Sequence, residues 1–396
     1  MSIEIEDAEL EEDQSEDSGE DFNPTELDAF WQFIYDRQKI WHNRYRENKS
    51  RPWTTDPVLH ENRIANIYRE LDPGTTFAVN SILEQDADPA DVLFNVVMYR
   101  VMASNKDTAA HLGFIPADEF SGGAVGEKLQ AYRDAGNTVF GGAYRVASCS
   151  QYGNPDHLKN IMALLEDLAW DVPRLWRRIA RVSDAAMWYR DFRKMPGCGP
   201  FLAHQCLVDM SYPLHRLEGK TLLGKPYSEV FVQAGPGARA GLKRLSGSQH
   251  AAPGKIRRLQ QSQSIDFARL GLDFAAVAPT YKELYPHLSD SDILEGGHSP
   301  DEVPEINLAN IEGCLCEYSK YASIKDGSGR GKRKYDGGHR QVGDRVLKGR
   351  TMPCVDCQAP TTFENRVAVT LPDNIWPVIL CLECALDTRI GDLIRG

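Results

Sequence analysis

Met195-Pro196-Gly197-Cys198-Gly199-Pro200, running on into Phe201-Leu202-Ala203-His204-Gln205-Cys206-Leu207, is the stretch that decides how the chain is read. Val172 to Phe192 before it keeps helical apolar spacing and a second apolar run follows it, so the glycines fall at a tight turn between two helices. Glycine allows positive φ and lets the N–H groups at the start of the next helix come close to a phosphate. Such contacts position a duplex without reading its sequence. Gly197 and Gly199 are therefore candidate DNA contacts, although a turn that merely joins two helices accounts for the same residues.

Working outward, a second glycine turn, Ala234-Gly235-Pro236-Gly237, opens the basic run Ala238-Arg239-Ala240-Gly241-Leu242-Lys243-Arg244. Gly235, Gly237, Arg239 and Lys243 join the DNA-contact candidates, with a plain helix cap as the alternative. Arg174, Arg177, Arg178 and Arg181 make a basic face on the helix before the hairpin. Between Lys320 and Arg350 there are ten bases against three acids, interleaved with glycines, and Arg330, Lys332, Arg333 and Lys334 are its densest part. That concentration suits a phosphate-binding surface, or else a solvated loop.

The whole-chain charge hides this. The 396 residues carry 45 Lys plus Arg and 57 Asp plus Glu, a net of −12, but residues 1–21 alone hold eleven acids and no base. Subtracting them leaves 45 bases against 46 acids. The acidic segment, residues 1–22, is expected to be a disordered tail, solubilising or competing for a basic groove.

Asn23-Pro24-Thr25-Glu26 is a helix-start signature, and the helix is expected to run to about Asn48. Asp56-Pro57 starts a second in the same way, expected to carry Asn62, Asn66 and Arg69 as a polar stripe until Asp72-Pro73-Gly74 ends it. Further helical periodicity covers 90–103, 126–134, 156–168 and 172–192; residues 290–305 look like an exposed acidic loop. Strand-like alternation is scarce before residue 366, so residues 23–350 read as one mainly α domain, with the helix-hairpin-helix near 190–210 and the basic glycine-rich loop at 320–350.

Residues 351–396 read differently. Cys354-x-x-Cys357 is followed after 23 residues by Cys381-x-x-Cys384, and two such knuckles suit a tetrahedral zinc. Four thiolates leave no open position, so a small β zinc ribbon with a structural ion is expected. No apolar stretch approaches the ~20 residues of a membrane span, and the start is acidic, so a cytoplasmic protein, in a host's cytoplasm if viral, is the default. Gly-x-Ser-x-Gly and His-Glu-x-x-His are missing, and Gly327 to Arg333 lacks P-loop spacing.

The 195–200 turn resembles the hairpin of helix-hairpin-helix DNA-binding proteins. Together with Phe30 to Arg44, Pro52-Trp53-Thr54-Thr55-Asp56, Asn66-Ile67-Tyr68-Arg69-Glu70-Leu71-Asp72, Ala143-Tyr144, Gly235-Pro236-Gly237 and Leu315 to Tyr321, it resembles the alpha-glutamyl/putrescinyl thymine pyrophosphorylase family over roughly residues 25–335. That family shares its helical domain with bacteriophage 5-hydroxymethyl-deoxyuridine DNA kinases. The resemblance implies a mainly α fold like that of helix-hairpin-helix DNA glycosylases. It implies an enzyme of thymine hypermodification, in which an amine, an amino acid or putrescine, displaces (pyro)phosphate from a phosphorylated 5-hydroxymethyluracil in DNA, with a DNA kinase as partner. A glycosylase or lyase, and a non-enzymatic DNA-binding partner, are the alternatives; a kinase ranks last because the P-loop is missing.

That chemistry needs cations on the leaving phosphate, for which Arg37, Arg44 and Arg69 are candidates. It needs a base for the amine, drawn from Asp56, Asp72 or Glu317, with Lys320 nearby. Asn66 is suited to orienting the base, and Trp41, Trp53 or Tyr144 to stacking on it if it is flipped out.

Overall fold

Asn23 starts the first helix as its side chain type allows: its Oδ1 accepts from the Thr25 and Glu26 amides at 3.0 and 3.1 Å, and Pro24 takes the first helical position. The computed structural model describes residues 22–142, 149, 151–224, 226–329, and the strand residues 352–353, 360–361, 366–369 and 378–381. In chain order come α1 (Pro24–Trp41), which continues as a π-helical turn (His42–Arg46), α2 (Pro57–Glu61), a 3-10 turn (Arg69–Leu71) and α3 (Pro73–Ala78). Next are α4 (Pro89–Val101), α5 (Lys106–Leu112), α6 (Gly122–Asp134), α7 (His157–Ile179), α8 (Ala185–Arg193) and α9 (Pro200–Asp209). The series ends with α10 (Tyr227–Val230), α11 (Pro236–Ser246), α12 (Ala252–Arg269), α13 (Tyr281–Leu284), α14 (Asp290–Glu295) and α15 (Leu308–Lys325). The protein is mainly helical.

The described helices fall into two compact units, one holding the chain up to Asp86, Ser183–Tyr189 and the stretch from Pro200, the other Ala87–Val182 and Arg190–Gly199. In the first, Phe30, Trp31, Phe33 and Ile34 of α1 are buried against α11, α12 and α15. Edge-on ring contacts join Trp31 to Phe267 and Phe30 to Tyr318, at centroid distances of 5.0 and 5.4 Å. α11 crosses α15 so closely that a Cβ on Gly241 would lie 2.4 Å from the Leu315 carbonyl oxygen. In the second unit, α4 is buried along nearly its whole length and packs on α7, whose Leu164, Leu165, Leu168, Val172 and Leu175 form the facing stripe.

Two short antiparallel pairs lie near the C-terminus: β1 (Met352–Pro353) with β2 (Pro360–Thr361), and β3 (Arg366–Val369) with β4 (Val378–Cys381), Arg366 opposite Cys381. Cys354, Cys357, Cys384 and the Cys381 side chain lie outside the described residues, as do residues 1–21, Tyr144, Arg330, Lys332, Arg333 and Lys334.

Three expectations are corrected. The second helix stops at Glu61, and the segment from Asn62 to Tyr68 is irregular, so Asn62, Asn66 and Arg69 form no helical stripe. Tertiary bonds take the place of helical ones there, as described below. The break expected before Val172 is missing: α7 runs through Pro173, because its buried stripe continues unbroken to Ile179 and outweighs one lost backbone bond. The break falls instead at 180–184, where Asp184 caps α8 through the Ala186 and Met187 amides. Finally, residues 290–295 of the expected acidic loop are helical, since Ser289 and Asp292 cap each other reciprocally. Among the described residues no helix is long and apolar enough to cross a membrane.

Candidate active site

Residues 64–72 cross the first unit as irregular backbone, and its polar groups are satisfied by side chains from distant helices. Arg37, one turn before the end of α1, donates through Nε to the Ile64 carbonyl at 3.1 Å and through Nη2 to Asn66 Oδ1 at 2.8 Å. Asn66 passes the link on, donating from Nδ2 to Asp72 Oδ1 at 2.8 Å and to the Leu71 carbonyl at 3.1 Å. Arg37, Asn66 and Asp72, three candidates from two stretches of the chain, thus form one chain of bonds.

Arg69 stands beside it. Its amide donates to Asn310 Oδ1 of α15 at 3.1 Å and its Nη2 to Gln205 Oε1 of α9 at 2.5 Å. Asn310 also donates to the buried Glu70 at 3.0 Å. Burial raises the Asp72 carboxyl above its ordinary range, against the opposing pull of Arg37, the Asn66 bonds and Arg69. Burial likewise raises Glu312, which accepts from the Gly235 amide at 3.0 Å and also feels Arg69. Glu317 accepts from the Ala65 amide at 3.0 Å and pairs with Lys320 at 2.6 Å. The result is a half-buried set of two guanidiniums and several carboxylates, an arrangement able to neutralise phosphate oxygens while holding a proton acceptor beside them.

Other candidates lie apart. Asp56 caps α2 through the Leu59 amide at 2.9 Å and accepts from the Tyr321 hydroxyl at 2.7 Å. Arg44 is placed over the rings of Tyr45 and Trp53, at 4.7 and 4.9 Å, and Arg51 also lies over Trp53. Trp41 is buried under Arg46, which is clamped by Glu283. At the second glycine turn, Glu312 already holds the Gly235 amide, and a Cβ on Gly237 would collide with Cys316 Sγ at 2.3 Å; close packing on α15 accounts for both glycines. Arg239 donates to the Ala234 carbonyl at 3.2 Å, and Lys243 is exposed on α11. In the second unit, Gly197 has φ +69° with Leu164 packed on it, which fixes the hairpin turn, and Gly199 is exposed.

Sequence reasoning missed Gln205, Asn310, Glu70 and Glu312. The available signal was the polar residue set in an apolar run: Asn310 and Glu312 flank Ile311 just ahead of Cys314 and Leu315. Among the described residues no cluster of His, Cys, Asp and Glu could hold a metal.

Residues 25–330 match the family described as 5-hmdU DNA kinase, helical domain. A 5-hmdU DNA kinase of Bacillus phage SP10 is 24% identical over 315 residues, which cover 74% of this chain and 44% of that relative. The chain therefore spans less than half the length of the curated relative it matches. No solved structure matches. These findings overturn the expected membership of the thymine pyrophosphorylases, and with it the displacement of phosphate by an amine, the amine co-substrate, and the glycosylase and binding-partner alternatives. They also reverse the low rank given to a kinase. The motifs quoted for that resemblance all lie within residues 25–330, the stretch that matches the 5-hmdU DNA kinase helical domain.

Proposed function

The chain belongs to the 5-hmdU DNA kinase helical-domain family, and from that premise we propose that it engages 5-hydroxymethyluracil in DNA and takes part in phosphorylating its hydroxymethyl oxygen. The observation that carries this is the bonded series Arg37–Asn66–Asp72 with Arg69 beside it, all within the matched residues. As the hydroxymethyl oxygen takes the γ-phosphoryl group from a nucleoside triphosphate, whose β,γ-bridging O–P bond breaks to release the diphosphate, it must give up its proton. Asp72, its carboxyl raised by burial, is the proposed acceptor, since a base nearer neutrality transfers protons more effectively. Arg37 and Arg69 neutralise the phosphoryl oxygens, and Asn66 holds Arg37 and Asp72 in register. Glu317 with Lys320 adds a second charged pair at the Ala65 end of the same segment.

Since the sequence has no P-loop, the donor nucleotide is proposed to bind by other means than that motif, and recognition of the modified base is the chain's own part. The hairpin at Gly197, as in helix-hairpin-helix proteins, and the basic residues Arg330 to Lys334 are the proposed contacts to the duplex backbone. A structural zinc on Cys354, Cys357, Cys381 and Cys384 belongs to the same proposal. The β3–β4 pairing supports it, because it makes the antiparallel hairpin on which a second knuckle would sit. One zinc per chain by elemental analysis, lost in Cys354→Ser, is the expected outcome.

The functional test uses γ-labelled ATP and matched duplexes carrying 5-hydroxymethyluracil or thymine. Preferential binding of the modified duplex is expected, with label entering that duplex alone. Arg69→Ala and Asp72→Asn should each lower transfer by ~10²-fold or more while binding changes little. No label and no preference between duplexes would sink the reading.

A further inference from the structure

The second unit carries a surface that the site above does not use. On α7, Trp170, Arg174 and Arg177 are spaced three and four residues apart, and Arg181 follows in the turn after the helix, four residues on. At ~100° per residue these four lie within a narrow arc on one face. Trp170 is 59% exposed, which is unusual for the largest apolar side chain, and the Arg174 guanidinium lies 4.3 Å from its ring centre. Arg177 and Arg181 are exposed. The opposing charges are few and placed at the edges: Asp171 is buried beneath, 4.0 Å from Arg174, while Glu166 and Asp167 mark the acidic end of the stripe one turn before Trp170.

Basic residues near a helix C-terminus complement its dipole, and one or two would need no other reason. Three in line with an exposed tryptophan go beyond that need. An aromatic ring flanked by guanidinium groups, continuing into a line of cations, is the combination that holds a single nucleic-acid strand, because every base offers a face to stack on and every nucleotide a phosphate.

We propose that this face of α7 binds a single-stranded stretch of DNA, Trp170 stacking on an unpaired base and Arg174, Arg177 and Arg181 facing the phosphates beside it. The proposal rests on the reading of the chain as DNA-acting, and the chemistry of the face, a ring to stack on beside a line of cations, suits an unpaired strand better than a closed duplex.

The test is equilibrium binding of fluorescent oligonucleotides with ordinary thymine and no modified base, single-stranded and duplex, over a range of salt. With no modified base and no ATP, its result does not depend on kinase activity. Trp170→Ala is expected to weaken single-strand binding by ~10-fold, and Trp170→Phe to restore most of it. Arg177→Ala with Arg181→Ala should lower the slope of log affinity against log salt by about 1 to 2. Because these side chains are exposed, thermal unfolding of the variants should match the parent. Unchanged affinity and salt slope in all three variants, or equal losses for duplex and single strand with no rescue by phenylalanine, would overturn the proposal.

Discussion

Asp171 is a carboxylate in a place that resists its charge. It is buried on α7, and burial together with Asp167 one turn earlier pushes its carboxyl up to about 6, Arg174 offsetting only part of this. The ordinary value is 3.8, so the folded chain holds this proton more tightly than the unfolded chain does. Its effect on stability is therefore most favourable below about pH 4 and is lost as pH rises through about 6, by up to about 3 kcal/mol. Asp171→Asn should flatten that part of the profile, measured as urea midpoints from pH 4 to 7; an unaltered slope would show that the group is not responsible. Asn66 is the other telling residue, since it bonds Arg37, Asp72 and a backbone carbonyl at once. Asn66→Ala leaves these partners short and is expected to cost about 1–3 kcal/mol in chemical denaturation, as well as uncoupling Arg37 from Asp72, the proposed proton acceptor.

Among the elements, the crossing of α11 and α15 is the most exacting. Gly241→Ala would place a Cβ 2.4 Å from the Leu315 carbonyl oxygen, and separating the two helices is expected to cost about 1–3 kcal/mol, seen as a lower midpoint with unchanged helix content at low denaturant. This crossing also shows what was legible in the sequence. Helix starts were, because a cap is local: Asn23 and Asp56 each act within a few residues of chain. What depends on a distant partner was not. Gly235 and Gly237 read as phosphate contacts, yet their neighbours are Glu312 and Cys316 of a helix some seventy residues on. Asn62, Asn66 and Arg69 have helical spacing by number alone, and their conformation is set by Arg37, Gln205, Asn310 and Glu317. The periodicity at 156–168 and 172–192 read as two helices, but the apolar stripe of α7 carries the first of them through Pro173 to Ile179. Arg37, Asn66, Arg69 and Asp72 stood out in the sequence one by one, and the bonds that join them did not.

Over the whole molecule, charge is divided by segment. Deleting residues 1–21 changes the net from −12 to −1 by removing eleven acids, and salt-dependent binding should then tighten for any DNA sequence if the segment competes for a basic surface. No change would leave it a solubility segment. The segment at 64–72 has a consequence for the order in which the molecule assembles. Its Ile64 carbonyl and its Ala65 and Arg69 amides are answered by α1 and α15, and its Arg69 side chain by α9, all far away in sequence, so only local bonds such as those of Asn66 can hold it before those helices dock. It should be among the last parts of the first unit to fold and among the first to open. In native-state hydrogen exchange, the Ala65 and Arg69 amides would then exchange together and well before those of the α15 interior, and a modified base seated on them would slow both at once.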